Sequence, residues 1–145
     1  MKNLLLTLIA ALSFAATSLA SFPAKADDSL YKAFGEQAGM SALMDEFMKD
    51  LLADKRMQPF FEKTNPAQFK SSLGNQMCQL AGGACQYKGP DMKLAHKEMD
   101  INKANFNALV ELLQKSMATR NIPFTAQNRM LALLAPMHRD IINVK

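Results

Sequence analysis

The chain has 145 residues, 49% of them hydrophobic and 21% charged, with 17 Lys and Arg against 13 Asp and Glu and a net charge of +4. That length accommodates one domain. The charges are scattered and form no clustered basic stripe, so a nucleic-acid partner is not expected.

At the N-terminus, Lys2 precedes an apolar run over residues 4–16, then small polar residues and Ala24-Lys25-Ala26. This is the pattern of a secretory signal peptide, because the run is too short to span a bilayer and a small-x-small site closes it. Cleavage is expected after Ala26, with a cut after Ala20 as the alternative. The expected organisation is a signal peptide over 1–26 and one domain over 27–145, periplasmic or secreted, with no stable membrane anchor after cleavage. Losing Lys2 and Lys25 leaves 119 residues and a charge of +2, so the pI of 9.1 says little about partners.

From Asp27 onward the apolar period is helical. Met40, Leu43, Met44, Phe47, Met48, Leu51 and Leu52 recur at three and four, which predicts a helix of about four turns with a wide buried stripe. Residues 54–61 read as an irregular connection carrying Pro59. Asn65 can cap and Pro66 can open the next helix, which is expected to run to about Ala81. A glycine-rich loop with Gly82, Gly83, Gly89 and Pro90 follows, and Asp91 can cap a short helix holding His96. Asn102 starts a long helix with Phe106, Leu109, Val110, Leu113 and Met117 on its expected buried face. Thr125 starts the last helix, with Met130, Leu133, Leu134, Met137 and Ile141, and Pro136 is expected to bend it. No segment alternates at period two, so the class is all-α.

Cys78 and Cys85 belong, in an exported chain, to an oxidising compartment. Along one helix they would stand roughly 10 Å apart, too far for a disulfide, but Gly82-Gly83 can end the helix and turn the chain back. A bridge closing so short a loop contributes ~2–3 kcal/mol in the chain-entropy view. The spacing is neither a redox C-x-x-C nor a zinc set. Without further knowledge, the ten methionines and two histidines that remain after the expected cleavage describe a small helical domain with an adaptable core.

Several segments in combination change that reading. "SLYKAFGEQAGMSALMDEF", "LLADKRMQPFF", "QLAGGACQYKGPDMKLAHKEMDI", "NFNALVELL" and "LALLAPMHRDII" carry a first glycine element, a phenylalanine turn, a second glycine pair, a Tyr-x-Gly turn and one histidine followed by Ile101. In this order they resemble the group 1 truncated haemoglobins over residues 30–144, although a single Gly35 stands where a Gly-Gly pair is common. The resemblance implies a truncated globin fold, a two-over-two helical sandwich, holding haem b with His96 as the iron ligand. It implies a pocket lined by Met48, Phe61, Phe69, Leu73, Met77, Met92, Ile101 and Phe106, with Phe61 stacked on the porphyrin. The second ring N–H of His96 should be held by a backbone carbonyl, which fixes the tautomer. Lys70 or Lys93 is a candidate for a haem propionate, against the simpler reading of a solvated lysine.

The distal side departs from these relatives. Where many members place a tyrosine and a glutamine, this chain has Met48 and Leu73, and Phe69 stands at the gate. Losing a donor worth roughly 1.5 kcal/mol weakens oxygen binding about tenfold or more, while carbon monoxide and nitric oxide suffer less. Gln76 is the nearby amide that could turn inward, against the simpler reading of a solvent-facing glutamine. The expected function is therefore reversible binding of a diatomic gas, oxygen or nitric oxide, without enzymatic turnover. The alternatives are an electron-transfer haem protein with Met48 or Met77 as sixth ligand, and a haem-free helical binding domain. No redox partner follows from the sequence, and His138 reads as a surface residue.

Overall fold

The computed structural model describes residues 27–144, so the expected signal peptide and its cleavage site lie outside the described residues. Within these bounds the chain is helical, with no strand. The helices are α1 (Ser29–Ala33), α2 (Glu36–Ala53), α3 (Gln58–Phe61), α4 (Pro66–Leu80), α5 (Met92–Ala95), α6 (Lys103–Thr119), α7 (Phe124–Leu134) and α8 (His138–Ile141). α2 packs against both α4 and α6, and α7 packs against α4 and α6, which gives the two-over-two arrangement.

The expected caps form. The Asn65 side chain accepts from the Gln68 N–H at 3.1 Å with Pro66 behind it. Asn102 and Asn105 make a reciprocal capping box at the start of α6, satisfying amides that a helix start would otherwise leave unpaired. The first glycine element is divided between two positions. Gly35 takes a left-handed φ of 79°, and Glu36 beside it adopts φ 57°, a conformation costly for a residue with a Cβ. At the end of α4, Gly82 (φ 86°) turns the chain, and the Gly83 N–H donates back to the Cys78 carbonyl at 2.9 Å. That reversal brings the Cα atoms of Cys78 and Cys85 to 5.8 Å, and the two are joined by a disulfide.

Methionine is the main filler of the core. Met40, Met44, Met57, Met77, Met117 and Met130 are buried with Leu43, Phe47 and Leu51, each side chain contributing ~1.5–3 kcal/mol over an exposed one. Three polar side chains among the described residues are buried with this core, Asp50, Ser116 and Gln127. Asp50 of α2 accepts from Ser116 Oγ at 2.8 Å and from Lys115 Nζ at 2.6 Å.

Five expectations about elements are corrected. Residues 58–61 form a helical turn with Pro59 in its first positions, where proline needs no N–H partner. The buried side of α6 is Ala108, Leu112, Leu113, Ser116 and Met117, while Phe106, Leu109 and Val110 are half-buried. The last long helix opens at Phe124 after Pro123, and Pro136 does more than bend it. It sits in a 3-10 turn, Ala135–Met137, that separates α7 from α8, because the ring removes a backbone donor. Leu52 and Leu133, placed on buried stripes by their spacing, are exposed.

Candidate functional site

His96 is set by a chain of local devices that begin on α4. Besides the disulfide, the Gln79 side chain at the end of α4 accepts from the Tyr87 N–H at 2.7 Å. Tyr87 donates its hydroxyl to the Pro90 carbonyl at 2.7 Å, closing the turn before α5. Gly89 lies so close to the Tyr87 ring that a Cβ there would stand 2.4 Å from the hydroxyl oxygen. Burial, and then the charge of Asp91, push the Tyr87 phenol up from its ordinary value, so it stays a donor. Asp91 then caps α5 by accepting from the Leu94 N–H at 2.7 Å.

α5 is one turn long and ends at His96. The carbonyl oxygen of Met92 accepts from the His96 ring Nδ1–H at 2.8 Å and from the His96 backbone N–H at 3.2 Å. The ring is half-buried, and among the described residues its Nε2 makes no hydrogen bond. With Nδ1 as donor, Nε2 carries the free lone pair, which is the arrangement a metal-ligating imidazole needs. No group of three or more His, Cys, Asp or Glu side chains among the described residues could hold a metal ion. A single imidazole with a fixed tautomer fits haem, whose macrocycle brings the remaining in-plane ligands.

Most of the expected lining residues lie on α2, α3 and α4. Phe69, Leu73 and Met77 follow one another at four-residue steps and so share one face of α4. Phe69 and Leu73 are half-buried and pack on the core, whereas Met77 of α4 and Met48 of α2 are both buried in that core. Phe61 meets Phe69 edge-on, with ring centroids 5.2 Å apart, and Phe47 lies 6.4 Å from Phe69. None of Met48, Phe69 and Leu73 carries a hydrogen-bond donor.

The other three expected lining residues follow α4 in the chain. Met92 is half-buried in the turn that ends at His96, and Ile101 is buried where α6 begins. Phe106 is half-buried, its ring 6.3 Å from that of His138. Gln76 is neither turned to bulk water nor paired with a strong acceptor. Its amide nitrogen lies 3.5 Å from Met92 Sδ and 3.6 Å from Met137 Sδ, bridging α4 to the two elements opposite. Lys70 does not stand free for a propionate, because it pairs with Asp45 of α2 at 2.6 Å; Lys93 is exposed. His138 is exposed, as a surface residue should be.

Sequence reasoning missed Met137 and Asn143. Met137 was assigned to a core stripe, and the 3-10 turn at Pro136 redirects it. Asn143, four residues past Arg139, carries no local signal: its partners are 42 and 47 residues away.

Comparison with known proteins gives the chain its family. The family described as Bacterial-like globin matches residues 29–143. The group 1 truncated hemoglobin of Tetrahymena thermophila is 33% identical over 88 residues, covering 61% of this chain and 73% of that protein. That of Tetrahymena pyriformis is 26% identical over 113 residues, covering 78% and 93%. The solved structure of the T. pyriformis protein in its Fe(III) form superposes with a TM-score of 0.75, covering 79% of this chain and 97% of that one. With that match running through the phenylalanine turn, the second glycine pair and His96, the chain belongs to the bacterial-like globins, among the group 1 truncated haemoglobins.

Proposed function

We propose that this haem-binding, gas-binding globin binds dioxygen reversibly at haem b held by His96, in a periplasmic or secreted compartment, and releases it quickly. The observation that carries the reading is the Nδ1–H of His96 on the Met92 carbonyl, which leaves Nε2 directed by its tautomer to act as the ligand. Haem supplies the ligand-binding iron. Phe69, Leu73, Met92 and Phe106, all half-buried, offer apolar surface to the macrocycle at roughly 25 cal/mol per Å² of apolar area removed from water, and Phe61, Met77 and Ile101 back them from the buried core.

The apolar wall decides which gas gains. Met48, Phe69 and Leu73 donate nothing to a polar diatomic, so oxygen is held without the hydrogen bond that slows its escape. Nitric oxide and carbon monoxide, which depend less on such a donor, lose less. The same lack of a donor argues for a carrier or sensor of gas over an oxygen-consuming enzyme. The Cys78–Cys85 bridge supports export, since such bonds persist where the surroundings are oxidising.

The test is the absorption spectrum of the purified protein in ferric, ferrous and carbon-monoxide forms, with stopped-flow oxygen release. The reading expects a five-coordinate ferrous form and rapid oxygen release. A six-coordinate low-spin ferrous form lost in Met48→Ala or Met77→Ala would replace it with a redox role. No Soret absorbance after expression with ample haem would replace it with a haem-free domain.

A further inference from the structure

The backbone that follows the histidine is held in an unfavourable shape. Between His96 and Ile101, Glu98 and Asp100 adopt φ of 63° and 52°, and neither is a glycine. Left-handed residues with a Cβ persist where the surroundings over-determine them. The segment's own bonds are long: Lys97 N–H to the Leu94 carbonyl at 3.4 Å and Met99 N–H to the His96 carbonyl at 3.3 Å.

The stronger bonds come from the far end of the chain. Asn143 Nδ2 donates to the His96 carbonyl at 2.8 Å, and Asn143 Oδ1 accepts from the Ile101 N–H at 2.6 Å. The Asn143 and Val144 backbone N–H groups both donate to the Ile101 carbonyl, at 3.0 and 3.2 Å. One side-chain amide therefore holds both ends of the segment. The task demands an amide, because one backbone group needs a donor and the other an acceptor. A carboxylate of the same shape could serve Ile101 and would repel the His96 carbonyl. Asn143 lies two residues past the end of α8, which packs against α5, so the clamp closes α5 onto the end of the chain.

We infer that Asn143 is a positioning residue for the iron ligand: by gripping the His96 carbonyl and the Ile101 N–H together, it fixes where the His96 imidazole stands relative to the haem. The inference rests on the reading of His96 as that ligand. Asn143 is assigned no contact with haem or gas, and acts through His96.

The experiment is resonance Raman spectroscopy of the ferrous, gas-free holoprotein, which reads the iron–histidine stretching band, together with the rate of haem loss to an excess of a haem-scavenging protein. Wild type is compared with Asn143→Ala, Asn143→Asp and Gln127→Ala. Gln127 holds the Ile122 carbonyl at 2.8 Å from α7, so its loss is a stability control away from His96. Asn143→Ala and Asn143→Asp are expected to shift or broaden the band and to speed haem loss by up to about tenfold, with Gln127→Ala leaving the band in place. Should Asn143→Ala fail to fold, Asn143→Asp, which keeps the acceptor and loses the donor, carries the test. A band unchanged in the Asn143 variants, or shifted equally in Gln127→Ala, overturns the positioning role. A wild-type protein with no iron–histidine band overturns the ligand assignment instead.

Discussion

Cys78, buried in the last turn of α4, is bonded to Cys85 in the loop that leads to His96, with their Cα atoms 5.8 Å apart. The helix carrying Leu73 and Met77 and the segment carrying the proposed iron ligand are thus one covalent unit. Cys78→Ser with Cys85→Ser is expected to lower stability by ~2–3 kcal/mol, measured by denaturant unfolding. The intact protein should resist alkylation without reductant, and two freely alkylated cysteines would contradict the bridge.

Asp50 gives the fold a defined acid sensitivity. Burial pushes its carboxyl up, but the Lys115 and Ser116 hydrogen bonds and the Lys115 charge outweigh that and hold it below its ordinary value of 3.8. A lowered folded value means that the contribution is complete above 3.8 and is lost as pH falls below it. Ser116→Ala, which leaves a buried carboxylate oxygen short of a donor, should cost ~1–2 kcal/mol at neutral pH. Urea unfolding at neutral pH and near pH 3 checks both statements, and a Ser116→Ala deficit that grew on acidification would be the wrong sign.

Glu36 occupies a left-handed position for which glycine is suited. Glu36→Gly should raise stability by ~0.5–1 kcal/mol, the relieved backbone strain exceeding the loss of a carboxylate near a helix start. Thermal unfolding measures it, and a lower midpoint would show that the side chain contributes more than its backbone costs.

On the distal wall, Leu73→Gln introduces an amide on the face of α4 shared with Phe69 and Met77. Oxygen release should slow by about tenfold, with carbon monoxide binding altered less. An unchanged release rate would mean that this face of α4 does not border the gas.

Much of this was legible in the sequence because it is local. Asn65-Pro66, Asp91 and Asn102 announce helix starts through their own side chains, and Gly82 announces a reversal through its freedom at positive φ. The period of α2 showed its buried face. What stayed hidden depends on contacts distant in sequence. The Asp50–Ser116 bond, the placement of Gln76 between two thioethers, and the Asn143 grip on His96 and Ile101 each join residues 16 to 66 positions apart. The burial of Ala108 in α6 was equally unreadable, since Phe106 and Val110 are larger apolar side chains. Packing against α2 and α7 overrode that preference.

The most direct test of the haem assignment is titration of the purified protein with haem, followed at the Soret band, in wild type and His96→Ala. Wild type should saturate at one haem per chain and give a ferrous spectrum of histidine-ligated iron. His96→Ala should lose stoichiometric retention and regain the ligated spectrum when free imidazole is added. A His96→Ala protein with the wild-type stoichiometry and ferrous spectrum would contradict the assignment of His96 as the iron ligand.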